Sequence, residues 1–167
     1  MDAERFKKEF LPYHQKLYRI AYRMLQNTDI AQDMVQDTYI KLWERRNEMQ
    51  DMGNTESFAV VVLRNLCLDF LKKPKQEPLG DHRPEVTESL SLSEHMDMKE
   101  NLTCVKEIIE HLPDQQRLVM MFKHWDDYSD KEIEDITGLS SVNIRVILSR
   151  ARKTVREKYK KIQGYGN

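Results

Sequence analysis

Apolar residues recur at helical spacing through the first 74 residues of the chain, in three segments separated by polar breaks. The segment QKLYRIAYRML has one apolar stripe, formed by Leu17, Ile20, Ala21 and Met24. The segment DIAQDMVQDTYIKLWERR, with Asn27 or Thr28 as its cap, has a second, formed by Val35, Tyr39 and Leu42. A third stripe lies between a Ser57 cap and Pro74 and consists of Phe58, Val62, Leu66 and Phe70. The pattern predicts a domain of three helices over residues 1–74.

Residues 75–98 have a different composition, with early Pro and Gly residues followed by Ser, Thr and carboxylates among scattered leucines. Such a composition is typical of a tether between domains. The only cations are Lys75 and Arg83, and the acidic side chains are Glu77, Asp81, Glu85, Glu88, Glu94 and Asp97. We therefore expect a flexible acidic linker over residues 75–98.

Helical periodicity returns in residues 99–167, which we expect to form a second small domain. Its first two helices, the second beginning at Pro113, have apolar stripes formed by Leu102, Val105, Ile109 and Leu112 and by Leu118, Met121 and Phe122. A short third helix begins at a capping box of Ser129 and Glu132 and ends at Gly138. Ser140 or Ser141 caps a long last helix, whose inner face is Ile144, Ile147 or Leu148, Ala151 and Val155. The predicted fold class is all-α, with two small helical domains joined by the linker.

Composition narrows the classes of function that fit. The 167 residues include 40% hydrophobic residues and only five Gly and five Pro, which favours helices over β-structure. No apolar run approaches the roughly 20 residues that cross a bilayer, and MDAERFKKEF lacks the core of a signal peptide. Cys67 and Cys104 lie far apart, the histidines have no ligand spacing, and no phosphate-binding Gly loop or activated nucleophile is found. We expect a cytoplasmic protein with free thiols, no membrane insertion, no metal, no cofactor and no enzyme activity.

The C-terminal segment is strongly basic in a chain whose formal net charge is −1. In residues 138–161 Glu157 is the only carboxylate, and the cations are Arg145, Arg150, Arg152, Lys153, Arg156, Lys158, Lys160 and Lys161. Two helices joined by a Gly-containing turn form the helix-turn-helix pattern, in which the start of the second helix enters a major groove. At that start Arg145 suits guanine and Asn143 suits adenine, while the later cations suit phosphates. A merely solvated basic face is the alternative.

Three segments of the chain resemble a known family. The sequence LPDQQRLVMMFKHWDDYSDKEIEDITGLSSVNIRVILSRARKTVRE resembles region four of bacterial sigma factors of the extracytoplasmic-function (ECF) type. DIAQDMVQDTYIKLWERR looks like region 2.2 of that family, and SFAVVVLRNLCLDFLKK looks like its regions 2.3 and 2.4. The resemblance covers about residues 10–73 and 100–160. It implies an alternative sigma factor, which binds core RNA polymerase and directs initiation at specific promoters.

The resemblance assigns roles to residues of the first domain. Region 2.2 would bind the clamp helices of the largest polymerase subunit through Asp33, Gln36, Asp37, Lys41, Leu42 and Trp43. Core packing remains the alternative for the last two. The minus ten element would be captured by the loop DMGNTES with Asn54 and Asn65, and its phosphates contacted by Arg64, Lys72 and Lys73. The absence of Trp and Tyr from SFAVVVLRNLCLDFLKK implies limited promoter melting that is demanding of sequence.

The resemblance also assigns roles to the last helix and names partners. The minus thirty-five element would be contacted by Ser141, Asn143, Arg145, Arg150, Arg152 and Lys153. A neighbouring surface would hold the flap of the second-largest polymerase subunit, the linker would thread the polymerase channels, and an anti-sigma factor would hold the free protein inactive. Two other functions stay open: a two-domain DNA-binding regulator that does not join polymerase, and an interaction protein with no DNA role.

Overall fold

The computed structural model describes residues 1–74 and 96–164. Residues 75–95, which make up most of the predicted acidic linker, lie outside the described residues, so the linker stays a prediction. Every regular element in the described ranges is a helix, which confirms the all-α fold class. The chain divides into two compact units, one built mainly on the helices before residue 75 and one on those after residue 95.

The first unit contains four α-helices and one short 3-10 turn. In chain order they are α1 (Ala3–Phe10), the 3-10 turn Leu11–Tyr13, α2 (His14–Leu25), α3 (Thr28–Glu44) and α4 (Thr55–Lys72). Helices α2, α3 and α4 pack against one another, and α1 packs against α4. The core side chains are Phe10, Leu17, Ile20, Ala21, Ala31, Val35, Leu42, Met49, Ala59, Val60, Leu63 and Cys67. Asn27, one of the two predicted caps, caps α3, because its Oδ1 accepts from the Ile30 amide at 3.0 Å.

The structure corrects the predicted start of α4 and its buried face. The cap is Asn54, not Ser57, because the Asn54 side chain accepts from the Ser57 amide at 2.9 Å and the helix begins at Thr55. The most deeply buried positions of α4 are Ala59, Val60, Leu63 and Cys67, whereas the predicted Phe58, Val62, Leu66 and Phe70 are half-buried. Because α4 is apolar on more than one side, its period alone does not choose the buried face. The small Ala59 and Cys67 side chains allow neighbouring helices to approach closely there.

Helix α1 was not predicted from the sequence. Asp2 caps it by accepting from the Arg5 amide at 2.8 Å, and its two buried side chains are Phe6 and Phe10, one turn apart. Two apolar positions in eight residues are too few to establish a period, so the helix depends on tertiary packing of these two rings. The first domain therefore has one helix more than predicted.

The second unit contains four α-helices. They are α5 (Met96–Glu110), α6 (Asp114–His124), α7 (Asp130–Thr137) and α8 (Ser141–Ile162). Helix α5 begins within the last three residues of the predicted linker. Helix α8 packs against α5 and α6, and its inner face is Ile144, Leu148, Ala151 and Val155. Of the two alternatives Ile147 and Leu148, Leu148 is therefore the residue on the inner face of α8. Leu102, which was predicted on the buried stripe of α5, is exposed instead.

Gly138 ends α7 with φ of 74°, in the left-handed region of backbone space. Its amide donates to the carbonyl of Glu134 at 2.8 Å, which satisfies one of the helix's last carbonyls. Ser129 and Glu132 form the predicted capping box at the other end of the helix. The helix boundaries of α7 follow the sequence signals at both ends.

Replacing Gly138 by Ala should destabilise the second unit by about 1 to 2 kcal/mol, because an L-residue with a Cβ atom is strained at this φ. Gly138→Asn should cost less, since Asn adopts the left-handed conformation more readily. The chain has two tryptophans, Trp43 in the first unit and Trp125 in the second. Urea unfolding followed by Trp125 fluorescence in a Trp43→Phe background reports on the second unit alone. An Ala variant as stable as its parent would contradict the strain argument.

Cys67 lies in the core of the first unit, and burial raises the pKa of its thiol from 9.0 to about 12. At neutral pH the native protein therefore contains about a thousandfold less Cys67 thiolate than the unfolded chain, and the thiolate is the reactive form. In a Cys104→Ser variant, a thiol reagent should react at least 100-fold more slowly with the native protein than with the protein in urea. Equal rates would show that Cys67 is accessible in the native protein and would support a redox role for it, which the sequence alone leaves open.

Candidate functional site

One face of α3 is exposed along most of the helix. It brings together four of the residues that the resemblance assigned to polymerase, namely Asp33, Gln36, Asp37 and Lys41. Asp33, Asp37 and Lys41 follow one another at four-residue intervals and Gln36 follows Asp33 by three, so all four lie on the same side of the helix. The buried side carries Ala31, Val35, Thr38 and Leu42. The amphipathic pattern of α3 thus separates a core face from a polar outer face.

Ile40 lies on this outer face and is 57% exposed, although the sequence analysis did not single it out. It follows Val35 by five residues and precedes Leu42 by two, so its helical angle places it away from the buried stripe. That spacing was a usable signal in the sequence. An exposed isoleucine surrounded by carboxylates, an amide and a lysine has the composition of an apolar contact point with a polar rim.

Leu42 and Trp43, the two predicted apolar anchors, have different environments. Leu42 is fully buried, so the core-packing alternative is correct for this residue and its side chain is not available to a partner. Trp43 is 36% exposed and makes an edge-to-face contact with Phe6 of α1, with ring centroids 5.2 Å apart. The Arg46 guanidinium lies 4.2 Å from the Trp43 ring centroid and Nη1 of Arg46 donates to the Trp43 carbonyl at 2.9 Å. Trp43 therefore has one apolar contact and one cation–π contact, and part of the ring remains exposed.

The loop before α4 is anchored at one point and exposed at its tip. Met49 is almost completely buried, and the Gln50 carbonyl accepts from Nη2 of Arg5 at 3.4 Å. Met52 is exposed, and Asn54 is exposed apart from the cap that its side chain forms. Because the side-chain Oδ1 of Asn54 already accepts from the Ser57 amide, the side-chain NH₂ group of Asn54 is the part left for a ligand. Met52 is a further exposed side chain of this loop that the sequence analysis did not select.

The other predicted minus ten residues are distributed along α4. Asn65 is exposed, and its Oδ1 accepts from Nε and Nη2 of Arg64 at 3.4 Å each. Lys72 and Lys73 are exposed at the C-terminal end. Eighteen residues separate Asn54 from Lys72, which corresponds to about 27 Å along a helix axis. The structure therefore places these groups on one element, with the loop at one end and the two lysines at the other.

The corner between α7 and α8 fixes the start of α8. Ser140 caps α8 by accepting from the Asn143 amide at 3.2 Å. The carboxylate of Glu134 accepts from both the amide and the hydroxyl of Ser141, at 2.6 and 2.5 Å. Ser141 was predicted as a DNA contact, but its hydroxyl is half-buried and donates across the corner to α7. These two bonds hold the helices of the motif together, while the predicted DNA contact of Ser141 stays a prediction.

The remaining predicted residues of α8 are exposed. Asn143 and Arg145 flank the outer face of the first turn, and Arg150 and Lys153 follow one and two turns later. Lys153 forms an ion pair of 4.0 Å with Glu157 in which both side chains are well exposed, so the pair adds little stability. The whole helix is basic, with no carboxylate before Glu157.

Arg152 differs from its neighbours because it contacts α6. Its Nη2 lies 3.3 Å from Nε2 of His124. Desolvation, together with the charges of Arg152 and Lys123, lowers the pKa of His124 below its ordinary value. A neutral imidazole can accept a hydrogen bond from Arg152, so the arginine is held beside α6.

An open apolar groove of about 580 Å³ lies on the second unit between α5, α6 and α8. Its lining residues are Leu102, Thr103, Val105, Lys106, Ile109, Met120, His124, Trp125 and Val155. Leu102 is 66% exposed and Trp125 is 42% exposed, so the groove has two large apolar side chains at its surface. The resemblance predicted a surface for the polymerase flap on this domain without naming its residues, and that prediction stays untested.

Residues 1–74 and 96–164 contain no cluster of His, Cys, Asp and Glu side chains that could bind a metal ion. Among the helices formed by these residues, none combines the length and the hydropathy needed to span a membrane.

Comparison with known proteins assigns the chain to a family. Residues 10–77 match the family Sigma-70 region 2, and residues 102–155 match the family Sigma-70, region 4. The chain is 27% identical to the RNA polymerase sigma factor SigV of Bacillus subtilis, over 86% of this chain and 84% of that protein. It is 24% identical to the ECF RNA polymerase sigma factor SigW of the same organism, over 87% and 83% of the two chains.

A solved structure has the same fold. It is the sigma factor RpoE of Bartonella quintana, crystallised with the anti-sigma factor NepR, with a TM-score of 0.63 and 23% identity over 93% of this chain and 96% of that one. The order of the two matched regions, their coverage and the named relatives agree with each other. The chain therefore belongs to the ECF-type sigma-70 factors, the alternative initiation factors that bind core RNA polymerase and direct it to specific promoters.

Proposed function

We propose that this sigma factor divides its work between its two units and the segment that joins them. Residues 1–74 bind core polymerase and the minus ten element, residues 99–167 bind the minus thirty-five element, and residues 75–98 serve as the linker. The observation that carries the proposal is the arrangement of α8, whose inner face closes the core of its unit while its basic outer face is exposed. This arrangement suits a helix that enters a major groove.

The minus thirty-five element is read by the first turns of α8. Asn143 and Arg145 contact base edges, because they are exposed beside the capped start of the helix. Arg150 and Lys153 contact phosphates from the following turns. The contact with His124 holds Arg152 close to the DNA phosphate that it binds. Ser141 contributes to DNA recognition indirectly, because its two hydrogen bonds to Glu134 fix the position of the first turn of α8.

The minus ten element is held by the loop at 49–54 and by α4. The exposed loop tip, with Met52 and the Asn54 amide, offers contacts to an unstacked base, while Met49 anchors the loop to the core. Asn65 and Arg64 contribute polar groups farther along α4, and Lys72 and Lys73 contribute charge at its end. A helix that begins at an exposed loop and ends in cations favours a single strand whose bases reach the loop and whose backbone is held electrostatically along the helix.

Core polymerase binds through the outer face of α3 and through the groove of the second unit. The mixed polar surface around Ile40, with the partly exposed Trp43 beside it, contacts the clamp helices of the largest subunit. The apolar groove beside Leu102 and Trp125 accommodates the flap of the second-largest subunit. Both surfaces offer large exposed apolar side chains, which favour a protein partner over DNA.

Regulation and location follow from this mode of action. An anti-sigma factor that covers these surfaces would keep the free protein inactive, by analogy with the Bartonella protein that was crystallised with one. The protein acts in the cytoplasm, where polymerase and promoters are, and it acts as an initiation factor with no reaction of its own. The acidic linker passes through polymerase channels that otherwise hold nucleic acid.

Ile40→Ala should weaken binding to core polymerase about tenfold, the loss expected when an exposed apolar anchor is truncated at an interface. Alanine favours a helix more than isoleucine does, so folding should be unaffected. The matched control is Leu71→Ala on α4, since Leu71 is 50% exposed in the same unit. Fluorescence titration of labelled protein with core polymerase, followed by transcription from genomic promoter fragments, measures both steps. Equal affinities of the two variants would exclude this face of α3.

Arg145→Ala and Lys153→Ala should have different effects on promoter recognition. Loss of Arg145 should cost about 1 to 3 kcal/mol at one promoter position and relax specificity there. Loss of Lys153 should weaken all promoter sequences alike and reduce the slope of binding against salt concentration by about one. The measurement is transcription by the reconstituted holoenzyme from promoters with single changes in the minus thirty-five element, at several salt concentrations. A uniform loss from Arg145→Ala would show that Arg145 contacts only the backbone.

A further inference from the structure

The outermost side chains at the start of α8 are two valines. Val142 is 65% exposed and Val146 is 42% exposed. With 100° between successive residues, the buried stripe of Ile144, Leu148, Ala151 and Val155 defines the inner side of the helix. Val142 and Val146 are one turn apart and lie close to the direction opposite that stripe. Asn143 and Arg145 lie to either side of them.

These valines are not among the buried core residues of their unit. A β-branched residue is a weak helix former, and an exposed valine gains little from burial. Single exposed apolar residues are common, but here two share the centre of the face that the proposed function turns toward DNA. Two exposed valines on that face are therefore stronger evidence for a contact with DNA than two exposed valines elsewhere on the surface.

The chemistry of the major groove supplies an apolar partner. Thymine is the base that presents a methyl group there, at C5, beside hydrogen-bonding groups that suit Arg and Asn. The outer face of α8 has no carboxylate before Glu157 and has cations on both flanks, so its surroundings favour a polyanion over another protein. An apolar spot within a basic face fits a methyl group at the floor of the groove.

We propose that Val142 and Val146 read thymine methyl groups in the minus thirty-five element and so determine part of its sequence. The inference rests on the proposed function, because it requires the start of α8 to lie in the major groove of that element. It assigns apolar contacts to the centre of the reading face, with Asn143 and Arg145 supplying the polar contacts at its sides. The element therefore contains at least one thymine, on either strand, opposite these residues.

Deoxyuridine provides a direct test, since it lacks only the methyl group and pairs as thymidine does. Each thymine of the minus thirty-five element is replaced by deoxyuridine, one at a time, in a synthetic promoter that the holoenzyme transcribes. Loss of one buried methyl contact should reduce promoter binding about three- to fourfold at one or two positions. Val142→Ala or Val146→Ala should be weaker on the thymine promoter and should show no further loss on the uracil promoter, as a double-mutant cycle requires.

The control variant is Lys153→Ala, which should weaken both promoters and keep the ratio between them. Uracil tolerated at every position, or a thymine-to-uracil ratio unchanged in both valine variants, would overturn the inference. An element without thymine on either strand would overturn it as well. Failure of the intact protein to direct any promoter-specific transcript would instead contradict the proposed function itself, so the two failures are distinguishable.

Discussion

The packing of α8 against α5 and α6 is the interaction on which the second unit depends. Four side chains one turn apart, Ile144, Leu148, Ala151 and Val155, form the inner face of a helix of 22 residues. Burying them fixes the rotation of the helix about its axis, and this rotation decides which residues face outward. The surface proposed to read DNA is thus set by the core packing, and it is further held by the Ser140 cap, by the bonds of Ser141 to Glu134 and by the contact of Arg152 with His124.

In the first unit, core packing likewise fixes the rotation of a helix and so decides which side chains form the surface proposed for polymerase. In α3 the side chain of Leu42 completes the core, while Ile40 is directed to the outside two residues earlier. Trp43 lies between these extremes, since it packs nearly perpendicular to Phe6 of α1 and Arg46 lies over its ring. Helix α1 therefore links the N-terminus of the chain to the surface proposed for polymerase, a connection that is invisible in the sequence of α3 alone.

Much of the fold could be read from the sequence, and the exceptions have physical causes. Asn27, the capping box of Ser129 and Glu132, and Gly138 mark helix ends through local hydrogen bonds and backbone geometry, which a single sequence displays directly. The cap of α4 was misassigned because Asn54 and Ser57 are both good capping residues and only the structure shows which one accepts the bond. The buried face of α4 depends on what surrounds it, and helix α1 depends on two phenylalanines that find their partners far along the chain.

The site could be predicted in outline for a different reason. The resemblance selected residues of α3, α4 and α8, and α3 and α8 both expose most of the residues named in advance, while their roles stay predictions. It could not decide between core and surface for Leu42, nor between a ligand contact and a helix-to-helix bond for Ser141, because both are questions of side-chain environment. For those two residues the family resemblance identifies the position, and only the structure of this chain shows the environment of the side chain.

Because α8 is continuous from its cap at Ser140 to Ile162, its reading turns and its core turns share one register. Inserting or deleting one residue in the early turns of α8 would rotate the turns before that point by about 100° about the helix axis. The outer face of those turns would then be directed toward the interior of the unit. New promoter preferences in such a protein can therefore arise by exchange of individual side chains, but not by changes in length. Among descendants of this chain, α8 should diversify at its outer positions while keeping the same number of residues between Gly138 and Val155.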